Sequence, residues 1–260
     1  MARVLVTGST EGLGLMAGQL LQSQGHRVIL HSRDAERAQD ARRALPDAEG
    51  VLIGDLSSIA ETRQVAKQAN DAGPYDAVIH NAGIGYPGGP HRRETVDGVE
   101  LVFAVNVLAP YLLTALIRPP GRLVYLSSGM HRGGTPNLDD PQWKRRHWNG
   151  TQAYSDSKLL DVVLAFAVAR RWTNVLSNAL EPGWVATRMG GPSAPDDLSQ
   201  GAVTQAWLAV SDSLEATVSG EYFYHQARRP VHPAARDPRL QDELLAQCES
   251  LSGVKLPPSA

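Results

Sequence analysis

Thr7-Gly8-Ser9-Thr10-Glu11-Gly12-Leu13-Gly14 stands between a short apolar run, residues 3–7, and a helix-period stretch that reaches residue 24. Glycines placed this way let a backbone turn tightly from strand to helix and approach a ligand closely, and the N–H groups of a helix N-terminus favour negative charge. The segment reads as the pyrophosphate turn of a dinucleotide site, with Gly8, Ser9, Thr10, Gly12, Leu13 and Gly14 against the ligand. A tight βα turn needs glycines for its own sake, so the surrounding pattern must decide.

Outward from that turn the chain alternates. Strand patterns at 27–31, 51–54 and 77–80 are separated by a helix over 35–45 and by one opening at the capping box Ser58-Ile59-Ala60-Glu61. A helix over 96–117, a strand at 122–127, a helix over 154–172 and a strand at 175–180 continue the rhythm. A short strand at 221–224 follows, and a last helix begins after Asp237-Pro238 and ends before Gly253. With no repeat and no linker, residues 1–260 are expected to form a single α/β domain. The predicted fold is doubly wound and Rossmann-like, with about seven mostly parallel strands. Helices cover both faces, and ligands sit at the strands' carboxyl ends.

Composition removes several function classes. The 260 residues are 42% hydrophobic, enough for a sizeable core, and the 25 Lys and Arg against 27 Asp and Glu leave no positive excess to hold nucleic acid. Lys144-Arg145-Arg146-His147 reads as a solvated loop. The single cysteine, Cys248, has no disulfide partner, and no Cys/His spacing suits a metal. No apolar run is long enough to span a bilayer and the first residues read as a strand rather than a signal, so the cytoplasm is the expected compartment.

Tyr154-Ser155-Asp156-Ser157-Lys158 puts a phenol and an ammonium four residues apart, on one face of a helix. A free phenol keeps its proton up to about pH 10. An ammonium about 5 Å away, at an effective dielectric near 20, favours the phenolate by about 3 kcal/mol. Such a pair can exchange a proton with a substrate oxygen near neutral pH. Ser127 and Ser128 end the preceding strand, where a serine pair can form a turn or offer a hydroxyl to an oxygen. Asn106 is a polar residue in an apolar helical stretch, a buried structural amide or a functional one.

These motifs, in this order, resemble the short-chain dehydrogenase/reductase family. The resemblance rests on Thr-Gly-x-x-x-Gly-x-Gly at Thr7 to Gly14, His80-Asn81-Ala82-Gly83, the Tyr154 and Lys158 pair, and Pro182-Gly183-Trp184-Val185-Ala186-Thr187. It implies a catalytic set of Asn106, Ser128, Tyr154 and Lys158. In that set Ser128 holds the substrate oxygen, Tyr154 is the acid/base, Lys158 also binds the nicotinamide ribose, and Asn106 supports a water-mediated proton relay. It further implies adenine contact by Asp55 beside Leu56, and cofactor contact by Asn81, Ala82 and Gly83. Pro182, Gly183, Val185 and Thr187 would hold the carboxamide. For Asp55, a plain turn ahead of the helix is an equal reading. His80 stands where the family's motif has its first Asn, so the polar position is kept with a different side chain.

No carboxylate ends the second strand, where one would bind a ribose 2′-hydroxyl, and Arg33 matches the family's guanidinium facing a 2′-phosphate, so NADP(H) is favoured over NAD(H). Glu11 runs the other way, since some NADP enzymes of the family carry a basic residue in the glycine loop. Ser128 and Tyr154 are 26 positions apart, a long spacer that resembles the retinol-dehydrogenase and WW-domain-oxidoreductase branch. The insertion 129–150, with Trp143 and Trp148, and a Gly/Pro-rich lid at 188–200 are expected to wall a pocket for an apolar or amphipathic carbonyl or alcohol. The tryptophans serve equally well as core. Reduction of an activated C=C bond, or a non-catalytic NADP-binding sensor or scaffold, are the alternatives. A homodimer or homotetramer through the helices holding Asn106 and Tyr154 is expected by resemblance, with Ala165, Ala167 and Ala169 permitting close packing.

Overall fold

The computed structural model describes residues 1–85 and 91–258. Its strands are β1 (Arg3–Val6), β2 (Arg27–Ser32), β3 (Gly50–Ile53), β4 (Ala77–His80), β5 (Arg122–Leu126), β6 (Leu176–Leu180), β7 (Tyr222–Tyr224) and β8 (Ala227–Arg228). They form one sheet in the order β3-β2-β1-β4-β5-β6-β7-β8, parallel except for the last pair. The strand order reverses between β1 and β4, which opens a crevice at their carboxyl ends. The sheet has one strand more than the pattern suggests because β8 is only two residues long, too short to carry a period.

The helices are α1 (Gly12–Ser23), α2 (Ala35–Ala44), α3 (Ile59–Ala72), α4 (Leu101–Phe103), α5 (Ala109–Leu116), α6 (Gly150–Arg171), α7 (Val203–Val210) and α8 (Pro238–Ser252). Successive strand residues point to opposite faces. Val4 and Val6 accordingly enter the core shared with α1, α2 and α7, while Leu5 enters the core shared with α3, α5, α6 and α8. Asp34 caps α2 and Ser58 caps α3, as their side chains suggest. The second half of the capping box is redirected: Glu61 accepts from the Asp55 N–H instead of that of Ser58.

Three features differ from the pattern. The helix expected from residue 96 begins at Leu101, because a turn with Gly98 at φ +70° and a bridge between Glu94 and Glu100 occupy the preceding stretch. Between α4 and α5 the helix widens into a π-helical turn, Ala104–Leu108, which contains Asn106. Helix α7 was not expected. The Asp237 cap, Pro238 at the first turn and Gly253 at φ +67° bound α8 as its sequence indicates. Helix α8 lies on α6, with Arg170 and Arg171 of α6 paired to Asp242. The tail beyond it is tied in by Tyr111 Oη donating to the Val254 carbonyl and Trp172 Nε1 donating to that of Pro257. Ala165 and Ala167 are therefore spent inside the chain's own core. Among the described residues no helix is long and apolar enough to cross a membrane, and no cluster of His, Cys, Asp and Glu could hold a metal.

Candidate active site

The glycine turn closes over the β1–β4 crevice. Gly8 and Gly12 have φ +61° and +56°, a region open to glycine at no steric cost. A Cβ on Gly8 would stand 2.8 Å from Ala82 Cα, and one on Gly14 would overlap Asn81 Nδ2 and the Gly8 carbonyl. Asn81 itself donates from Nδ2 to the carbonyls of Thr7 (2.8 Å) and Gly8 (3.0 Å), and Thr7 Oγ1 accepts from the Ala82 N–H. The end of β4 thus clamps the end of β1. Ser9 Oγ donates to the Val6 carbonyl and accepts from the His31 N–H, so its side chain is occupied by the fold.

A residue without an assigned role completes this clamp. His31, buried at the end of β2, accepts from the Gly8 N–H at Nδ1 (3.0 Å) and lies 3.0 Å from the Gly54 carbonyl at Nε2. That pairing requires the neutral ring, and burial holds its pKa down at about 4. A buried His at a strand end is the only sequence signal for it.

The N-terminus of α1 has no side-chain cap, which suits its N–H groups to an anion. Glu11, the residue at that cap, reaches instead to Arg37 (3.2 Å) and Arg188 (3.5 Å). Beside it lies an open cleft of about 370 Å³ lined by Thr10, Glu11, Arg33, Asp34, Glu36, Arg37 and Asp40. Arg33 stands 3.3 Å from Asp34 as an exposed surface pair, while Asp34 also accepts from the Arg37 N–H as the α2 cap. Asp55 Oδ1 accepts from the Ser57 N–H, so one carboxylate oxygen makes the turn that the alternative reading expects. Leu56 is buried beside it. His80 faces away from the crevice: Nε2 is 3.1 Å from Thr114 Oγ1, which in turn meets Tyr125 Oη at 2.7 Å. Burial keeps this imidazole neutral, with its pKa pushed down to about 3.

Around α6, Lys158 and Asn106 come to the same point of the crevice. Lys158 is buried, with Nζ donating to the Leu126 carbonyl at the end of β5 (2.5 Å) and standing 3.5 Å from Asp161 Oδ2. Asn106 donates to the Ile84 carbonyl and to Ser157 Oγ, and its Oδ1 accepts from the Ile84 N–H. Its amide therefore pins the loop after β4 to α6. Ser157, which also donates to the Tyr154 carbonyl, is a linking residue that the pattern does not reveal. Lys158 Nζ and Asn106 Oδ1 each lie 3.4 Å from where a Cβ on Gly83 would sit. Tyr154 is half-buried one turn before Lys158. Of the two serines, Ser127 is buried and donates to the Lys158 carbonyl, whereas Ser128 is half-buried and accepts from the Met130 N–H at the head of a short 3₁₀ turn.

The last motif returns to the glycine loop. Gly183 has φ +88°, Val185 is buried and bridges to Asp196, and Thr187 Cγ2 reaches to 4.0 Å of a Cβ on Gly12. Pro182 is half-buried beside them. The insertion 129–150 builds its own small core: Trp143 and Trp148 meet edge to face at 5.8 Å, with the Arg146 guanidinium 3.8 Å over Trp143. Asp140 accepts from the N–H groups of Lys144, Arg145 and Arg146, which folds the basic run as a loop. The exposed apolar side chains Met130, Trp184 and Met189 belong to the insertion and the 184–200 segment.

A parallel sheet with a glycine turn at its switch point, a clamping Asn and a buried helical Lys defines a dinucleotide-binding oxidoreductase scaffold. The family profile described as short chain dehydrogenase matches residues 2–139. An uncharacterized oxidoreductase of Emericella nidulans is 45% identical over 260 residues, covering 99% of both chains. Human retinol dehydrogenase 13 is 31% identical, covering 98% of this chain and 85% of its own. A crystal structure of an uncharacterized Mycobacterium paratuberculosis protein superposes with a TM-score of 0.82 at 28% identity, covering 99% of this chain and 95% of that one. The chain belongs to the short-chain dehydrogenase family, with a retinol-dehydrogenase-like pattern.

Proposed function

We propose that the protein interconverts a carbonyl and an alcohol with NADP(H) as the hydride carrier. The observation that carries this reading is the convergence of Lys158 Nζ and Asn106 Oδ1 on Gly83, at the crevice and on the helix that bears Tyr154. The cofactor, when bound, supplies or accepts hydride at the substrate carbon. Tyr154 moves the proton to or from the substrate oxygen. Lys158 presents an ammonium that favours the phenolate and holds the ribose. Ser128, whose hydroxyl proton is not claimed by its bond from Met130, holds the substrate oxygen. Asn106 keeps the loop after β4 in place and supports the proton relay toward Lys158.

The residues that would hold the cofactor fit it. Gly8 to Gly14 offer an uncapped helix N-terminus to the pyrophosphate, with Asn81, Ala82 and Gly83 beneath them. Asp55 keeps one carboxylate oxygen outside its turn for the adenine amine, next to Leu56. Pro182, Gly183, Val185 and Thr187 flank the carboxamide. The preference for NADP(H) is supported by Arg33 and Arg37 lining one cleft, with His31 and Ser32, not a carboxylate, ending β2. Met130 beside Ser128, and Met189 with Cγ 3.7 Å from a Cβ on Gly85, support an apolar or amphipathic substrate.

Fluorescence titration with NADPH and NADH tests the cofactor reading: NADPH should bind at least about tenfold more tightly, and Arg33→Ala should remove that preference. Equal binding of the two would reverse it. With a carbonyl panel and NADPH, Tyr154→Phe should retain binding and lose turnover; unchanged turnover would sink the role given to Tyr154.

A further inference from the structure

We infer that Asp161 is a positioning residue for Lys158: its carboxylate, one helical turn further on and closed off from water, holds the ammonium in place and offsets its charge. This rests on the catalytic reading of Lys158 given above. Asp161 lies on α6 in the run Leu159-Leu160-Asp161-Val162-Val163, where every neighbour is apolar and buried. Its side chain is 2% exposed, Oδ2 is 3.5 Å from Lys158 Nζ, and Oδ1 is buried with no hydrogen-bond partner among the described residues. A buried carboxylate without a full set of donors is expensive, and a fold retains it only where it is paired. The partner here is the ammonium that the chemistry uses.

The surroundings make the pair sensitive to protons. From β5 the phenol of Tyr125 and from β7 the phenol of Tyr222 feel the Asp161 charge, and both stay protonated because burial raises them. Among the described residues, the cationic group acting on Asp161 is Lys158, on its own helix. Burial outweighs the ammonium and pushes the Asp161 carboxyl up to about 7. When Asp161 is ionised the pair carries no net charge, and the pull of Lys158 on the Tyr154 proton is weakened. When Asp161 holds a proton, that positive charge acts on Tyr154 in full. The one bond that changes at Asp161 is an O–H, made when the carboxylate takes up a proton from solvent and broken when it releases it.

Asp161→Asn keeps the shape and removes the charge. For a carbonyl compound that the wild type reduces, the limb of the kcat/KM profile that reports the Tyr154 proton should move toward acid by about one pH unit. That is a tenfold change in the ionisation constant, with KM for NADPH little altered. A side chain that serves packing alone would lower the rate at every pH and leave the limb where it is, and that result would overturn the inference. Carboxyl-¹³C-labelled aspartate read by NMR gives a second measurement on the folded wild type, needing neither the variant nor a substrate. One aspartate should titrate near neutral pH, and its midpoint should rise in Lys158→Met. If every aspartate titrates in the ordinary range, or the midpoint ignores Lys158→Met, the pair is not coupled and the inference fails. Absence of any turnover in the wild type, with the NMR coupling present, would fault the catalytic reading and leave the Asp161–Lys158 pair standing.

Discussion

The two ends of the crevice are built by different means. At the glycine turn, neutral hydrogen bonds, donated by Asn81 to backbone carbonyls and accepted by Thr7 and His31 from backbone N–H groups, lock the turn in a buried frame. At the other end, the segment after β6 is held by ion pairs such as Arg188 with Glu11, both more than half exposed, and leaves Trp184 and Met189 in solvent. Buried neutral bonds are costly to leave half-made, whereas exposed pairs are screened and contribute little. The first end should therefore tolerate almost no change, and the second should tolerate much.

Gly14→Ala is the strongest way to break that contrast. The new methyl would overlap Asn81 Nδ2 and the Gly8 carbonyl, so the clamp must open. We expect a stability loss of about 3 kcal/mol in urea melts and NADPH binding weakened on the order of a hundredfold. His31→Phe should come next, since the Gly8 N–H loses its acceptor and the Gly54 carbonyl its partner inside the fold. A loss of about 1–3 kcal/mol is expected in the same melts. Normal stability in either variant would show that the glycine turn is less constrained than its bonding implies.

Acid should separate the same groups. His31, His80 and His131 are held neutral by burial, with pKa values near 4, 3 and 4. An unfolded imidazole takes up its proton near pH 6.5. The stability from these groups is thus whole above about pH 6.5 and lost as the pH falls toward 4, because the unfolded chain binds protons that the native one refuses. Asp161 has the opposite sign: its raised carboxyl contributes below about pH 4 and loses that contribution as the pH rises through 7. Melts from pH 4 to 8 should therefore show a flatter acid slope in His31→Phe and a flatter slope toward neutral pH in Asp161→Asn.

The smallest effect is expected in the segment after β6. Arg188→Ala removes a pair in which both side chains are more than half exposed, and stability should change by no more than about 0.5 kcal/mol. A larger loss in urea melts would mean that the segment after β6 is held as firmly as the glycine turn.

Most of the sheet was legible because strands and helices announce themselves by periodicity, and a parallel sheet forces its ligand site to the switch point. The glycine turn and the Tyr154 and Lys158 pair could each be read from spacing within a few residues, whereas their placing at one site with Asn81 came from the resemblance. The choice between Ser127 and Ser128 needed resemblance, and the fold supplies a physical ground for it in Ser127's bond to the Lys158 carbonyl. Helix α7, the redirected Glu61 and the inward turn of His80 had no such signal, since each depends on what another element places beside it.

The chain's own order of residues was enough to determine a doubly wound sheet, a dinucleotide turn and a phenol–ammonium pair, because each is a matter of period or of contacts within a few residues. Only the tertiary structure decided that His31 pins the glycine turn, that Asn106 and Ser157 tie the loop after β4 to α6, that α8 lies on α6 through Asp242, and that the buried carboxylate beside Lys158 is Asp161. Those contacts join residues far apart in the sequence or depend on which face of a helix is closed to water, and no local pattern encodes either.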